Sequence, residues 1–327
     1  MRRAVTLTLG LGLAGALIVT PAIASDAIFR LSGWAEIPST YRQPGPVSGQ
    51  FQVANPSNGV TPPYNGQPIP GFSGIIPSPV KGTFYGLPDN GYGAQNNSAD
   101  FVLGFYTFTP TFKTDGDGTT SRGPVAVKKF TPFSDPQGLL NSSFIADGPV
   151  YLRQNYYATP PLIPVDLAIK NGHLLTGADF DVESITRLDD GTFWVGEEFG
   201  PYLLHFDANG HLMSVPVRHP VLRAPQNPQN LILGAANLGS SRGFESMTRN
   251  GDGTRLYVTT EASINSEPNK TLLDIYEFDT QTEQYTGRSF KYAKDSSDYI
   301  TGAVNNASNI FLTGDMTHVT ARNASAV

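Results

Sequence analysis

Five acidic residues occupy related positions in this chain and are the first candidates for chemistry. Two of them open similar sequence blocks and three stand where a predicted strand ends; they are Glu183, Glu245, Asp89, Glu198 and Glu261. Unpaired carboxylates that are brought together repel one another, so they share protons or a cation. Several hard oxygen ligands suit Ca²⁺, or Mg²⁺ with more retained water. The pattern predicts a divalent-cation site formed by these five residues.

Three residues are the candidates for catalysis beside such a cation: Glu198, Glu245 and Arg242. Glu198 follows Glu197, and neighbouring side chains on a strand point to opposite faces. We therefore expect Glu198 to enter the site and Glu197 to bind an arginine or solvent. The planar guanidinium of Arg242 is suited to an anionic substrate. The alternative is that the acidic residues pair with arginines of the same blocks or cap turns.

A repeated block explains how acidic residues from distant parts of the chain could meet. The block reads Glu-Ser-apolar-Thr-Arg, then an Asp-Gly-Thr turn, then a strand with a large aromatic residue, and it spans residues 183–195 and 245–258. Residues 82–89 share the Gly-Thr pair, the aromatic strand and the final acidic residue. Such repeats indicate copies of one supersecondary unit. Short strands around tight turns favour an all-β, β-propeller-like fold; the alternative is two unrelated hairpins with common turn chemistry.

The composition excludes several classes of protein. The 327 residues carry a formal net charge of −6 and only 15% are charged, which argues against nucleic acid as a partner. The absence of cysteine excludes a disulfide scaffold and a lipoprotein anchor. The 34 glycines and 26 prolines predict many turns between short strands.

The N-terminus has the features of a secretory signal peptide. Arg2 and Arg3 precede an apolar run, and a small-x-small site ends at Ala24. The run is too short and too rich in glycine to span a bilayer. We therefore expect a secreted or periplasmic protein without stable membrane insertion. The chain divides into a signal peptide (1–24), a Pro/Gly-rich segment (25–70), a propeller domain (71–317) and an atypical tail (318–327).

Two further motifs are interpreted as having no catalytic meaning. Residues 239–243 match the G-x-S-x-G pattern of serine hydrolases, but that pattern is informative only at a strand-to-helix elbow. Here it precedes a predicted strand. Residues 115–118 resemble the start of a calcium loop, but the later acidic ligand is missing. We expect a hairpin tip there.

Several motifs between about residue 70 and about residue 316 are shared with a known family. The most specific is Trp194-Val195-Gly196-Glu197-Glu198-Phe199-Gly200-Pro201-Tyr202; the others are Phe72-Ser73-Gly74-Ile75, Asp89-Asn90-Gly91, Asp181-Val182-Glu183-Ser184-Ile185 and Arg242-Gly243-Phe244-Glu245-Ser246-Met247. By these residues the chain resembles the esterase-like or phytase-like family of secreted bacterial proteins with a β-propeller-type fold. The resemblance implies hydrolysis of esters or phosphoesters with calcium, so we expect a small-molecule phosphoester or ester as the substrate.

The chain departs from related proteins at two places. It has no Asp-Asp-Pro-Ala-x-Trp motif, which is the calcium motif of alkaline phytases, so their phosphate-site residues do not carry over. Residues 313–317 resemble the start of a family blade that the tail does not continue. A truncated chain, with a propeller incomplete at its C-terminus, and an atypical tail both fit this pattern.

These observations favour a secreted metal-dependent hydrolase of phosphoesters or related esters, with Ca²⁺ or Mg²⁺ as the cofactor. Two alternatives use the same residues. One is a calcium-dependent lactonase or carboxylesterase propeller. The other is a secreted propeller that binds a partner without catalysis.

Overall fold

Strands dominate the computed structural model, which describes residues 33–52, 61–113, 123–140, 165–227 and 229–293. The predicted signal peptide, the Asp-Gly tip at 115–118 and the C-terminal tail lie outside these residues. The helical elements are α1 (Leu167–Asn171), α2 (Asn230–Leu233) and one 3₁₀ turn (Gln95–Asn97). None of the helices in the described ranges has the length and apolar character needed to cross a membrane. The predicted all-β class is confirmed.

Three very short strands precede the main sheets. They are β1 (Ala35–Glu36), β2 (Arg42–Gln43) and β3 (Gln67–Pro68). β2 and β3 pair antiparallel with each other. The Gln67 side chain then clamps the backbone of Val102, accepting from its N–H at 2.7 Å and donating to its carbonyl at 2.8 Å. This exchange ties the N-terminal segment to the body of the protein.

The first sheet contains four antiparallel strands in chain order, with β1 added at its outer edge. The four are β4 (Gly74–Pro77), β5 (Phe84–Leu87), β6 (Gly104–Pro110) and β7 (Gly123–Pro132). β1 pairs with β7 in parallel, so the spatial order is β1-β7-β6-β5-β4. β4 is therefore the opposite edge of this sheet.

The second and third sheets repeat the same four-stranded meander. The second contains β8 (Val182–Arg187), β9 (Phe193–Glu197), β10 (Tyr202–Phe206) and β11 (Val217–Arg218). The third contains β12 (Phe244–Arg249), β13 (Arg255–Thr260), β14 (Leu272–Asp279) and β15 (Gln284–Ala293). Every neighbouring pair is antiparallel, and the first strand is an edge strand in both sheets.

The turns between β8 and β9 and between β12 and β13 are built alike. In the first, Asp190 Oδ1 accepts from the backbone N–H of Thr192 at 2.9 Å and from its hydroxyl at 2.8 Å. In the second, Asp252 Oδ1 accepts from the same two groups of Thr254 at 2.9 and 2.6 Å. Aspartate favours tight turns because its side chain can bond the backbone two residues on. The sequence repeat is therefore a structural repeat.

The first strands of the three main sheets lie side by side. β4 contacts β8, and β8 contacts β12. At Gly74 of β4, a Cβ atom would lie 3.1 Å from Cγ2 of Ile185 on β8, so the two strands approach closely. Successive four-stranded meanders with adjacent first strands are the blades of a β-propeller. The predicted β-propeller-like fold is confirmed.

The two largest hydrophobic clusters of the described residues form layers on the two sides of the second sheet. Phe193 and Val195 of β9 belong to the layer shared with the first sheet, whereas Trp194 belongs to the layer shared with the third. Side chains alternate between faces along a strand, so β9 serves both layers. Phe133 stacks on Phe206 at 4.0 Å between ring centroids in the first layer. Both faces of the middle sheet are thus buried, which holds the ends of its strands in place.

Candidate metal centre

Glu183 and Glu245 occupy the same irregularity in equivalent strands. In β8 and in β12, the pairing register with the next strand shifts between the residues on either side of the glutamate. Each glutamate is therefore the extra residue of a β-bulge. A bulge re-aims a side chain and often lies beside an active site. The repeated lead-in of the sequence thus encodes a repeated, specially directed carboxylate.

Three more predicted acids lie just beyond the second strand of each main sheet. Glu198 directly follows β9, Glu261 directly follows β13, and Asp89 comes two residues after β5. The backbone N–H of Glu198 donates to the carbonyl of Asp181 at 2.8 Å, and that of Glu261 donates to the carbonyl of Gly243 at 3.0 Å. Equivalent backbone bonds therefore place Glu198 and Glu261 beside the start of their own first strand.

The structure places all five predicted acids in two groups and adds a sixth, Asp181. The Asp181 trio contains Asp89, Asp181 and Glu183; the Glu198 trio contains Glu198, Glu245 and Glu261. Within each trio, one oxygen from every carboxylate lies within 4.8 Å of the others. All three main sheets contribute, since Asp89 comes from the first sheet and Glu245 and Glu261 come from the third.

Burial and repulsion by neighbouring carboxylates raise the pKa of two acids of the Asp181 trio, Asp181 and Glu183. Burial raises the pKa of Asp181 well above its usual range, and the Asp89 carboxylate adds to the rise, while a hydrogen bond from Ser241 opposes it. Burial likewise raises the pKa of Glu183, with added repulsion from Asp89 and then Glu245. Both carboxylates are costly to ionise unless a positive charge joins them.

In the Glu198 trio, burial and repulsion also raise the pKa of Glu198 and Glu245, but the guanidinium of Arg242 opposes the rise. Burial raises the pKa of Glu198 well above its usual range, and Asp181 and Glu245 add to it. Burial also raises the pKa of Glu245 to about 8, with repulsion from Glu261 and Asp89. Arg242 lowers the pKa of both groups. Asp181 contributes to the raised pKa of Glu198, and Asp89 contributes to that of Glu245. The two trios therefore adjoin.

Unsatisfied oxygen atoms indicate that these residues fit a divalent cation. Within the described ranges, Asp181 Oδ1 and Glu198 Oε1 are buried and have no hydrogen-bond partner; the two residues are 3% and 4% exposed. A buried acceptor without a donor is unfavourable. The donor set is entirely carboxylate oxygen, which is the chemistry that Ca²⁺ and Mg²⁺ prefer.

Arg242 engages one acid of the predicted set. Its Nη1 group donates to Glu261 Oε2 and to the carbonyl oxygen of Ser241. The side chain is 29% exposed, so part of the guanidinium faces solvent. Arg249, a second arginine of the repeat, pairs instead with Asp189 at 2.8 Å. Glu261 therefore pairs with an arginine, as the alternative interpretation expects.

Glu197 has a different role from the one expected. Its carboxylate accepts from the backbone N–H groups of Phe199 at 2.8 Å, Gly200 at 2.7 Å and Tyr202 at 2.8 Å. The prediction that it binds an arginine or solvent is therefore wrong. Burial raises its pKa to about 7, although these backbone bonds oppose the shift. Glu197 holds the chain reversal that follows Glu198, so one adjacent acid shapes the turn and the other joins the cluster.

Asp181 was missed because it has no counterpart in the second copy of the repeat. Its equivalent position is Gly243, where a Cβ atom would overlap the backbone of Glu198. Comparison of the copies selects shared acids and passes over an acid that occurs once. The available indication was that Asp181 lies in one of the motifs shared with the phytase-like family.

Residues 239–243 do not form a nucleophile elbow. They lead into strand β12, and the Ser240 and Ser241 hydroxyls both lie within hydrogen-bonding distance of Gln226 Nε2, at 2.6 and 3.0 Å. A serine-hydrolase elbow requires a strand-to-helix turn. The interpretation of this pattern as a chance match is confirmed.

A groove with a volume of about 410 Å³ lies on the first sheet. Its wall is mainly apolar and includes Phe72, Ile75, Phe84, Phe108 and Phe112. None of the six clustered carboxylates lines it. The groove is therefore separate from the chemistry of the two trios.

Comparison with known proteins identifies the family. A Phytase-like family model, described as "Esterase-like activity of phytase", matches residues 67–322. The chain belongs to this family, and the resemblance inferred from its motifs is confirmed.

A fungal protein is similar to part of this chain. The chain is 23% identical over 214 residues to an "Uncharacterized secreted protein" of Arthroderma benhamiae, covering 57% of this chain and 41% of the relative. It thus spans about two fifths of that relative's length.

Among solved structures, the Dos1 propeller has a TM-score of 0.24 at 9% identity, covering 59% of this chain and 34% of that one. A family 43 β-1,3-galactosidase with galactodeoxynojirimycin has a TM-score of 0.32 at 11% identity, covering 71% and 64%. These TM-scores are low, and the fold assignment rests on the sheet topology.

Proposed function

We propose that this protein is an exported hydrolase of phosphoesters or related esters that uses a divalent cation, Ca²⁺ or Mg²⁺. Six carboxylates from three sheets lie together, and two of these carboxylates have a buried oxygen without a hydrogen-bond partner. This observation carries the proposal. Membership of the Phytase-like family supports ester hydrolysis. Carboxylates alone would repel a phosphate group, so the proposal requires the cation.

The acids of both trios would hold the cation: Asp89, Asp181, Glu183, Glu198, Glu245 and Glu261. When bound, it would polarise the phosphoryl or carbonyl oxygen and lower the pKa of an attacking water. Arg242 would orient an anionic substrate, because its guanidinium is part-exposed beside the Glu198 trio and can offer several donors in one plane. Glu198 or Glu245 would accept the proton of water.

The proposal is tested with nitrophenyl phosphate, nitrophenyl acetate and a lactone, each assayed in Ca²⁺ and in a chelator. Hydrolysis of the phosphate that is lost in chelator and restored by Ca²⁺ is the expected result. Equal rates in both would overturn the cation mechanism. Turnover of the lactone or acetate alone would point to the lactonase or carboxylesterase alternative, and Ca²⁺ binding without any turnover to the non-catalytic binding propeller.

A pair of variants separates catalysis from folding. Glu245→Gln is expected to lower kcat by about 100-fold or more, the size of a typical general acid–base contribution. Asp252→Asn is the matched control, because Asp252 lies in the turn that follows the same strand, bonds Thr254 and belongs to neither trio. The control is expected to keep full activity. Equal rates for Glu245→Gln and the control would remove Glu245 from the mechanism.

Export is part of the proposal. Its support is the signal-type N-terminus and the printed name of the fungal relative, which describes that protein as secreted. Mass spectrometry of the exported protein is expected to find a mature N-terminus at Ser25. An intact N-terminus in exported material would contradict the predicted cleavage after Ala24.

A further inference from the structure

We propose that the two trios are two separate cation sites of unequal affinity, and that the Asp181 trio is the tighter site. This inference rests on the proposed function, because it assumes that the carboxylates bind a divalent cation. It goes beyond a single shared ion, since it assigns one ion to each trio.

The first argument is that each trio is complete in itself. Each provides three carboxylates with mutual oxygen distances within 4.8 Å. Each also contains one buried oxygen that no described residue satisfies, Oδ1 of Asp181 in one trio and Oε1 of Glu198 in the other. One ion placed in either trio would leave the buried oxygen of the other without a partner.

The second argument is the difference in charge. The Glu198 trio includes an ion pair between Glu261 and Arg242, which cancels one of its negative charges. In the described part of the chain, no ion pair is recorded for the acids of the Asp181 trio. Cation affinity of oxygen sites rises with the number of ligand charges. A divalent ion is therefore attracted more strongly to the Asp181 trio.

The third argument is rigidity, which also favours affinity. The carbonyl of Asp181 accepts from Glu198 N–H at 2.8 Å, and Asp89 Oδ1 accepts from the backbone N–H of Asn90. Asn90 is 2% exposed, and its Oδ1 accepts from Gly93 N–H at 3.0 Å. The bonds at Asp89 and Asn90 restrain the Asp181 trio alone, whereas the Asp181–Glu198 bond restrains one ligand of each trio.

The unequal sites suggest a division of labour. Arg242 is 29% exposed, so the Glu198 trio has a partly solvent-exposed cationic side chain beside it. An anionic phosphoester or ester would meet the ion of the Glu198 trio together with Arg242. The ion of the Asp181 trio would hold three of the converging acids ionised and in position.

The experiment is calcium titration of the chelator-treated full chain by isothermal calorimetry. We expect two Ca²⁺ ions per chain in two resolved phases. Asp181→Asn is expected to weaken the tight phase by about 10- to 100-fold, and Glu198→Gln to weaken the second phase by a similar factor. Asp252→Asn is the control and should match the parent protein. Circular dichroism and thermal unfolding in chelator check that each variant is folded.

The outcomes separate this inference from the proposed function. One Ca²⁺ per chain, weakened alike by both variants, would overturn the two sites and leave a single-ion hydrolase. Two ions with the tight phase lost in Glu198→Gln would overturn the assignment of affinity. No Ca²⁺ binding, together with hydrolysis that is unchanged in chelator, would overturn both proposals.

Discussion

The two copies of the repeated block, β8–β9 and β12–β13, share their architecture and differ in charge. Both have a bulged glutamate in the first strand, Glu183 or Glu245. Both have a second glutamate directly after the next strand, Glu198 or Glu261. The shared positions are those that a carboxylate needs in order to reach the cluster from a propeller blade.

The differences lie at the positions that flank the shared ones. Gly243 occupies in the second copy the position that Asp181 occupies in the first. Thr260 likewise takes the position of Glu197, since each pairs with the residue that precedes the bulged glutamate. Asp181 adds an acid to the cluster, whereas Gly243 leaves room for the backbone of Glu198. Arg242 then stands beside the glycine and pairs with Glu261. The two copies therefore share their backbone arrangement, and single residues that they do not share make them chemically unequal.

The largest expected effect concerns Glu197, which the other copy lacks. Glu197→Ala would leave three buried backbone N–H groups without an acceptor. We expect a loss of about 5 kcal/mol in the free energy of unfolding, measured by urea denaturation. Glu198→Ala is the control, and in chelator it should cost little because Glu198 Oε1 has no donor to lose. Equal losses for the two neighbours would contradict the separation of turn and cluster.

The next effect is the pH dependence of the cation-free protein. Burial first, and then Glu261 and Asp89, raise the pKa of Glu245 from 4.5 to about 8. Between these values the folded chain binds more protons than the unfolded chain, so stability is present below pH 4.5 and falls as pH rises through about 8. We expect a loss on the order of a few kcal/mol.

Two comparisons sharpen this pH experiment. Saturating Ca²⁺ should reduce or reverse the decline, because a bound cation takes the place of the protons. Glu245→Gln should make the decline shallower, since an amide does not titrate, whereas Asp181, Glu183 and Glu198 still do. Thermal unfolding from pH 4 to 9 provides the measurement. An identical decline with and without Ca²⁺ would argue against cation binding by the cluster.

A smaller effect tests the space that Gly243 provides. Gly243→Ala would force a Cβ atom into the backbone of Glu198. We expect a cost of about 2 kcal/mol, accompanied by weaker Ca²⁺ binding because Glu198 must shift. Gly251→Ala is the matched control, since a Cβ there meets nothing within 4 Å. Calorimetry and urea denaturation measure the two effects, and unchanged values for Gly243→Ala would show that the close approach is not needed.

The smallest effect concerns the contact between the copies. Arg249 pairs with Asp189 at 2.8 Å, but the Asp189 side chain is 74% exposed. Solvent screens such a pair, so Asp189→Asn should cost about 0.5 kcal/mol or less. The difference from the parent protein should vanish in high salt. A loss that persists in high salt would mean that Asp189 contributes through something other than charge.

Much of the candidate site was accessible from the sequence because it follows the repeat. The Asp-Gly-Thr turns and the aromatic strands are local patterns, and their copies align without knowledge of the fold. That alignment led to Asp89, Glu198 and Glu261 at the strand ends, and all three lie in the trios. The shared Glu-Ser-apolar-Thr-Arg lead-in selected Glu183 and Glu245 in the same way.

The role of Glu197 and the contribution of Asp181 could not be predicted for one physical reason, since both depend on groups that only the folded chain brings near them. The role of Glu197 depends on three N–H groups that a chain reversal directs at its carboxylate, and strand alternation does not predict that reversal. Asp181 contributes because β8 lies beside β4, which brings Asp89 within reach. Such neighbours are set by packing between sheets, and no short sequence pattern records them.

The all-β class, the repeated unit and the positions of its shared glutamates could be predicted from the order of the amino acids alone. Local chemistry suffices for these features, because turn residues and alternation act over a few positions. The packing of the sheets divides the acids into two trios, brings Asp181 into one of them and pairs Arg242 with an acid of the other. These outcomes depend on distances between different sheets, which arise only when the burial of both faces of the middle sheet brings the first strands together.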